Sequence, residues 1–229
     1  MPKKKRAPRN RTIALSDSER RRFSSRLLSD IANPLSIKEI LDRTLCCDTL
    51  AVLDNLPESA FDLVFADPPY NLTKDYNGKV FKETDAEQYE AWLEQWIPEM
   101  KRLLKPDGSI YICGDWQSST SIHRVLGRHF RIRNRITWER EKGRGSKSNW
   151  KNNIEDIWFA TAGKEYTFNV DDVKIKRKVL APYRDASGNP KDWDPSEAGN
   201  YRTTHPSNIW TDLTVPFWSM PENTDHPTQ

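Results

Sequence analysis

Asp67-Pro68-Pro69-Tyr70 brings a carboxylate, two ring-constrained residues and an aromatic ring together within four positions. Proline fixes φ and has no N–H, so the turn is stiff and its carbonyls point in set directions. The four residues describe a rigid cup. Asp67 and the Pro68 carbonyl accept hydrogen bonds, and Tyr70 offers a flat stacking face. Such a cup suits a planar ring that carries an exocyclic amine. The apolar run Phe61-Asp62-Leu63-Val64-Phe65-Ala66 before it reads as a buried strand. In open α/β sheets ligands bind at the carboxyl ends of strands, so the motif is expected at such an end. A strand-ending turn with no chemical role is the plainer reading of the tetrapeptide alone.

The surrounding pattern alternates strands with helices, which predicts a mostly parallel, doubly wound α/β sheet. A helix interrupted near Asn33-Pro34 is expected over 24–44, a short strand over 45–48, and a helix from Thr49 to Leu56. Residues 71–83 read as a polar loop that can close over a ligand. One long helix is expected from Thr84, with Thr84 and Glu87 at capping-box spacing. Its apolar stripe runs from Tyr89 to Leu104, and Pro98 should kink it. Lys105-Pro106-Asp107-Gly108 reads as a turn before the strand Ser109–Cys113. A helix over 117–129 and strands over 131–138 and 154–160 follow, the last two joined by a basic loop over 139–153.

Of the 229 residues, 30% are charged and 36% hydrophobic. The length allows a real core. No apolar run approaches membrane-spanning length and no signal peptide is visible, so no membrane partner is expected and a cytoplasmic location is. Three Cys, with Cys46 and Cys47 adjacent, give neither a disulfide framework nor a spaced metal site. Cys46, Cys47 and Cys113 are read as small core residues, and no metal is expected. Residues 1–30 hold ten Lys/Arg against three Asp/Glu, so the remainder carries −4 of the +3 net charge. Residues 1–22 are read as a disordered basic arm that touches polyanions.

Asp67-Pro68-Pro69-Tyr70 resembles the catalytic signature of the DNA amino-methyltransferases, which methylate N6 of adenine or N4 of cytosine with S-adenosylmethionine. The Asp form followed by Asn71 is more similar to the adenine enzymes. Other blocks carry the resemblance over residues 45–229: Cys47-Asp48-Thr49-Leu50, Lys105-Pro106-Asp107-Gly108-Ser109, Thr137-Trp138, Asn153-Ile154-Glu155-Asp156-Ile157, Asn208-Ile209-Trp210 and His226-Pro227-Thr228-Gln229. Their order, with the catalytic motif ahead of the recognition region, is similar to the beta subgroup. The resemblance implies a Rossmann-like methyltransferase fold with an antiparallel edge hairpin, for which 131–138 and 154–160 are the candidates. It further implies a catalytic core over 23–163, a target-recognition region over 164–225, and the start of a cofactor segment at 226–229.

The resemblance also implies roles. Asp67, Pro68, Pro69 and Tyr70 are the expected catalytic residues, acting on a base flipped out of double-stranded DNA. Hydrogen bonds to Asp67 and the Pro68 carbonyl would localise the amine lone pair and aim it at a sulfonium methyl. Asp48, Asp67, His226, Thr228 and Gln229 are expected to face the cofactor, although Asp48 reads equally well as a helix N-cap. Asn71 is expected to line the base pocket, or simply to form a turn. Lys142, Arg144, Lys147 and Lys151 are expected on phosphates, with a solvated loop as their plainer role. The glycine-rich cofactor loop of the family is not found. Gly143-Arg144-Gly145 follows Lys142 in a basic loop and is a poor match. The expectation is a fold incomplete on its C-terminal side, weak cofactor binding by this chain alone, and a complementing chain that carries the glycine motif. The alternatives are a non-catalytic DNA-binding fragment, one half of a split enzyme, or methylation of cytosine N4 or of RNA.

Overall fold

A computed structural model describes residues 15–76, 78–140, 147–180, 183–197, 199–211 and 213. In chain order these form α1 (Asp17–Ser24), β1 (Leu27–Leu28), α2 (Ile37–Ile40), β2 (Thr44–Leu45) and α3 (Thr49–Val52), followed by a 3₁₀ turn over Leu53–Asn55. Next come β3 (Phe61–Ala66), β4 (Lys74–Tyr76), β5 (Lys79–Phe81), α4 (Ala86–Leu93), α5 (Ile97–Leu103), β6 (Leu104–Gly114) and α6 (Ser119–His129). The chain continues through β7 (Arg131–Glu139), β8 (Ile154–Thr161), β9 (Ile175–Lys178), β10 (Asp194–Ser196), β11 (Gly199–Thr204) and β12 (Ile209–Trp210).

The main sheet has the order β12-β7-β8-β6-β3. β3 pairs parallel with β6 and β12 parallel with β7, while β8 is antiparallel to both neighbours. All strands but β8 therefore share one direction, the mostly parallel arrangement the alternating pattern predicts. The β7–β8 hairpin is present. It does not form the outermost pair, because two residues of β12 cover the far side of β7.

Alternation along the strands sorts the sheet into two faces. Ile110, Ile112 and Ala160 point into the core that Tyr89 and Leu93 of α4, Ile97, Met100 and Leu103 of α5, and Ile122, Val125 and Leu126 of α6 complete. Cys113, Ile136 and Ile157 point the other way, with Tyr70, Tyr111, Trp138 and Trp210 packed around them. On this second face Phe65 stacks on Tyr111, Tyr111 on Phe159, and Tyr166 meets Phe159 edge-on.

Several local expectations are corrected. Helix α1 occupies Asp17–Ser24 inside the stretch read as a disordered arm, closed by a capping box of Ser16 and Glu19. Over 24–44 the chain forms short pieces, not one interrupted helix. The loop at 71–83 holds the β4–β5 hairpin. The long helix from Thr84 is two helices. Asp85, not Thr84, caps α4, its side chain accepting from Gln88 N–H at 2.7 Å. Trp96 leaves helical geometry before α5 begins, and Pro98 stands in the first turn of α5. There the missing N–H has no intrahelical partner to lose. Lys105–Gly108 lies within β6 as an irregularity in its pairing with β3, since Phe61 faces Leu104 while Leu63 faces Ser109. Cys113 is buried, but Cys46 is exposed and Cys47 only half-buried, so the core reading holds for Cys113 alone.

Gly163 shows how tightly β8 is anchored after its last residue. A Cβ there would lie 2.6 Å from the Pro106 carbonyl oxygen. Gly163 O is also held by the Arg133 guanidinium at 3.1 Å and the Thr161 hydroxyl at 2.8 Å. The backbone cannot step aside without losing those bonds. Gly163→Ala is expected to lower stability by about 1–3 kcal/mol, read as an earlier urea midpoint with an unchanged slope.

The chain divides into two compact units: one built from the segment up to Tyr166 together with the segment from Ile209, the other Thr167–Asn208. The second contains an antiparallel sheet of order β10-β11-β9. Its core is Trp193, whose indole N–H donates to the Tyr183 carbonyl at 2.8 Å while the Arg184 guanidinium lies over the ring. The unit falls within the 164–225 region expected from sequence, and Ile209 and Trp210 of that region pair with β7 of the main sheet.

Candidate active site

Asp67-Pro68-Pro69-Tyr70 leaves the carboxyl end of β3, beside the ends of β6 and β8. Both sides of the motif are fixed. The Tyr89 hydroxyl of α4 donates to the Pro69 carbonyl at 3.1 Å. Asn71 clasps Thr84, its amide donating to Thr84 O at 2.7 Å and its carbonyl accepting from Thr84 N–H at 2.9 Å. The β4–β5 hairpin is thereby drawn up between the motif and the start of α4. Asn71 lies next to the cup as expected, and its described bonds are those of a clasp.

Asp67 is exposed, and Pro68, Pro69 and Tyr70 are partly covered. The Tyr70 ring packs on the Cys113, Ile136 and Ile157 cluster. Its hydroxyl faces the carboxylates of Asp67 and Glu155. Burial raises the Tyr70 phenol well above its ordinary range, and the negative charges of Glu155 and Asp67 raise it further. The phenol therefore stays protonated and acts as a donor. Burial raises the Glu155 carboxyl as well. Arg140 opposes that shift, donating from its guanidinium to Glu155 at 2.5 Å. The Cys113 thiol at the end of β6 is pushed up to about 12 by burial and by Asp67 and Glu155. It is an inert wall, not a nucleophile. Lys74 on β4 is lowered by burial and by Arg140, against the pull of Glu155 and Asp67. The mouth of the cup is thus a patch of negative charge with cations behind it.

Sequence reasoning missed Glu155, Arg140, Lys74 and Tyr89 as parts of this site. Alternation in 154–161 offered a signal for Glu155, because a charged residue on the face of Ile157 and Phe159 needs a partner. Tyr89 was legible only as a core residue of an apolar stripe. A long-range bond from its hydroxyl to a backbone carbonyl has no sequence signature.

The other expected site residues lie as follows. Asp48 is exposed and accepts from Leu50 N–H at 3.0 Å, which is the N-cap role. Lys147 and Lys151 are exposed on the loop that leads into β8. Lys142, Arg144, His226, Thr228 and Gln229 lie outside the described residues. S-adenosylmethionine carries a sulfonium and an α-amino group, both positive. The exposed carboxylate of Asp67 carries the charge that suits such a cation, while the Asp48 carboxylate is engaged in capping α3.

Next to this site the first turn of α6 and β8 enclose a cleft of ≈ 350 Å³ lined by Trp116, His123, Arg135 and Trp158. At its floor the buried Asp156 carboxylate accepts from the Ser119 hydroxyl at 2.6 Å, and Trp158 Nε1–H donates to Ser119 Oγ at 3.0 Å. Arg135 stands 3.6 Å from the same carboxylate. This network satisfies its own polar groups and ties α6 to the sheet.

Residues 61–229 match the model of the N6_N4_Mtase family, described as DNA methylase. The chain is 31% identical over 192 residues to the type II methyltransferase M.HpaI of Haemophilus parainfluenzae, an alignment that spans 82% of this chain and 55% of that protein. It is 32% identical over 191 residues to the DNA adenine methyltransferase YhdJ of Escherichia coli strain K12, spanning 80% of this chain and 60% of that one. Among solved structures it is similar to the PVUII DNA methyltransferase (cytosine-N4-specific), with a TM-score of 0.49 and 16% identity over 82% of this chain and 58% of that chain. The chain spans little more than half the length of the curated relatives it matches. With the Asp-Pro-Pro-Tyr cup at the carboxyl end of a strand and a family model that covers most of its residues, the chain belongs to the N6_N4_Mtase family of DNA methylases.

Proposed function

We propose that this chain supplies the catalytic cup of a DNA amino-methyltransferase that acts on N6 of a flipped adenine. The observation that carries the reading is the acidic rim: Asp67, at the end of β3, beside a protonated Tyr70 and the half-buried Glu155. S-adenosylmethionine, when bound, supplies a methyl group on a positively charged sulfur. This chain's residues do the rest. Asp67 accepts one amine N–H and the Pro68 carbonyl the other, which draws the nitrogen towards tetrahedral geometry. Transfer of that methyl group, with the N–CH₃ bond forming as the S–CH₃ bond breaks, would leave positive charge on the nitrogen that these residues hold. Fixed negative charge from Asp67 and Glu155 stabilises it, and Asp67 is placed to take the released proton. Tyr70 donates to the carboxylates and keeps them in position. Arg140 balances Glu155 so that the site does not carry unpaired buried charge.

DNA affinity on this reading comes from phosphates, not from the cup. Lys147 and Lys151 are exposed cations on the loop just before β8, the strand that carries Glu155. Replacing both by Ala is expected to reduce the slope of log affinity against log salt by about 2, at roughly 0.9 per phosphate contact. Fluorescence anisotropy of a labelled duplex between low and moderate salt reads this directly. An unchanged slope would remove the loop from the interface.

A second element of the reading concerns β3. It ends the sheet, and among the described residues nothing pairs with its outer side. Leu63 and Phe65 on it are 53% and 58% exposed. An unpaired, apolar strand edge is a template for another strand. We propose that a glycine-motif segment, in cis or from a complementing chain, covers this edge and completes the cofactor site. Adding such a polypeptide should raise S-adenosylmethionine affinity measured by calorimetry. Equal affinity with and without it would contradict this element.

A further inference from the structure

We propose that Trp150 is a wedge that enters the DNA stack at the position the target base leaves. This rests on the reading of the protein as one that flips a base out of duplex DNA.

Trp150 is 90% exposed. Every described residue around it, Lys147, Ser148, Asn149, Lys151 and Asn152, is polar and exposed. An indole held in water without packing is unfavourable by the area it leaves uncovered, so an exposed one on a polar loop points to a partner that covers it. Its place narrows the partner. Arg140 N–H donates to the Asn153 carbonyl at 2.6 Å and closes the β7–β8 hairpin at that point. Arg140 also grips Glu155, whose carboxylate meets Tyr70 of the cup. Trp150 stands three residues before Asn153, at most about 11 Å of extended chain. The side chain is therefore tethered within reach of the place where a base would enter the cup.

The three properties together define a stack-inserting group. The ring is flat and apolar, the flanking Lys147 and Lys151 suit phosphates on either side, and the hairpin fixes its distance from the cup. Withdrawing a base from a duplex leaves a gap and costs unstacking energy. A side chain inserted between base steps recovers part of that cost. Among the described residues Trp116 is also an exposed indole, at 56%, but it lines the cleft with His123 and Trp158 and has no lysine beside it in sequence. It serves as the control.

The test uses a short fluorescein-labelled duplex of mixed sequence, intact or carrying one abasic site. The gap is already open in the second, so a wedge should prefer it. The protein is expected to bind the abasic duplex about tenfold more tightly than the intact one, the scale of one base–aromatic stack. Trp150→Ala should erase the preference with the affinity for intact duplex changed less than about twofold. Trp150→Phe should keep most of it, and Trp116→Ala all of it. Trp150 is exposed, so the thermal midpoint of each Trp150 variant should match the parent. A preference that survives Trp150→Ala, or no preference in the parent, overturns the assignment of Trp150. Absence of binding to either duplex would instead overturn the proposed function.

Discussion

Asp67→Ala is expected to reduce methyl transfer to DNA by at least about a thousandfold, while the affinity for duplex DNA stays within about threefold. The asymmetry follows from what the carboxylate touches. On the proposed function, Asp67 would accept from the reacting amine and carry part of the negative charge that the nitrogen sees as it becomes cationic. Positioning of this kind can contribute roughly 7–11 kcal/mol to a barrier, and a single fixed charge or donor commonly contributes a factor of about 10²–10³. Affinity rests on lysines elsewhere, so it should hardly move. Asp67 is exposed, so the variant should fold. Single-turnover transfer from labelled S-adenosylmethionine, run beside anisotropy on the same duplex, separates the two effects. Activity within tenfold of the parent would remove Asp67 from the mechanism.

Glu155→Gln is expected to have the next largest effect, and a distinct one. The substitution keeps the shape and removes the charge behind Tyr70. Transfer should fall by about 10²-fold, the size of a lost electrostatic contact in the transition state. Stability should respond in the opposite sense with pH. Burial raises the Glu155 carboxyl above its usual 4.5, so the folded state holds that proton more tightly than the unfolded chain. The favourable contribution is present at acid pH and is lost as pH rises from the unfolded value through the folded one. The parent should therefore lose stability relative to Glu155→Gln as pH climbs above about 4.5. Denaturant midpoints of both proteins across mildly acidic pH check the sign. A parent that instead gains stability relative to Glu155→Gln as pH rises would mean that Arg140 outweighs burial at this site.

The strand that carries the motif was legible as a strand because its evidence is local: five apolar residues in six, then residues that cannot continue it; the expectation that it is buried is corrected, since Asp62, Leu63 and Phe65 are exposed on a strand that ends the sheet. α6, β7 and β8 were legible for the same reason, with ends within two residues of those expected. Failures have physical causes. A stripe that continues in register across Gln95 and Trp96 hides a helix break, since apolar spacing reports the buried face and not the backbone. Asn77-Gly78 between Lys74–Tyr76 and Lys79–Phe81 was a hairpin signal that polarity made look like a loop. The capping box at Ser16 and Glu19 was likewise readable beneath the basic composition. In the site, Asp67 and Tyr70 stand where the motif implied. The partners that set their charge are Glu155 on β8 and Arg140 just past the end of β7, more than sixty positions away along the chain. Only the sheet order brings them to the end of β3.

The proposed role of the Asp67–Tyr70 cup is to present an exocyclic amine for methylation. Nucleoside mass spectrometry of DNA tests it most directly, after incubation with S-adenosylmethionine and this protein, alone and together with a polypeptide carrying the glycine-motif segment. N6-methyladenine is expected in at least one of the two reactions and none with Asp67→Ala. Methylation at a ring carbon, or N6-methyladenine undiminished in Asp67→Ala, would contradict it, as would unmethylated DNA in both reactions with folded, DNA-bound protein.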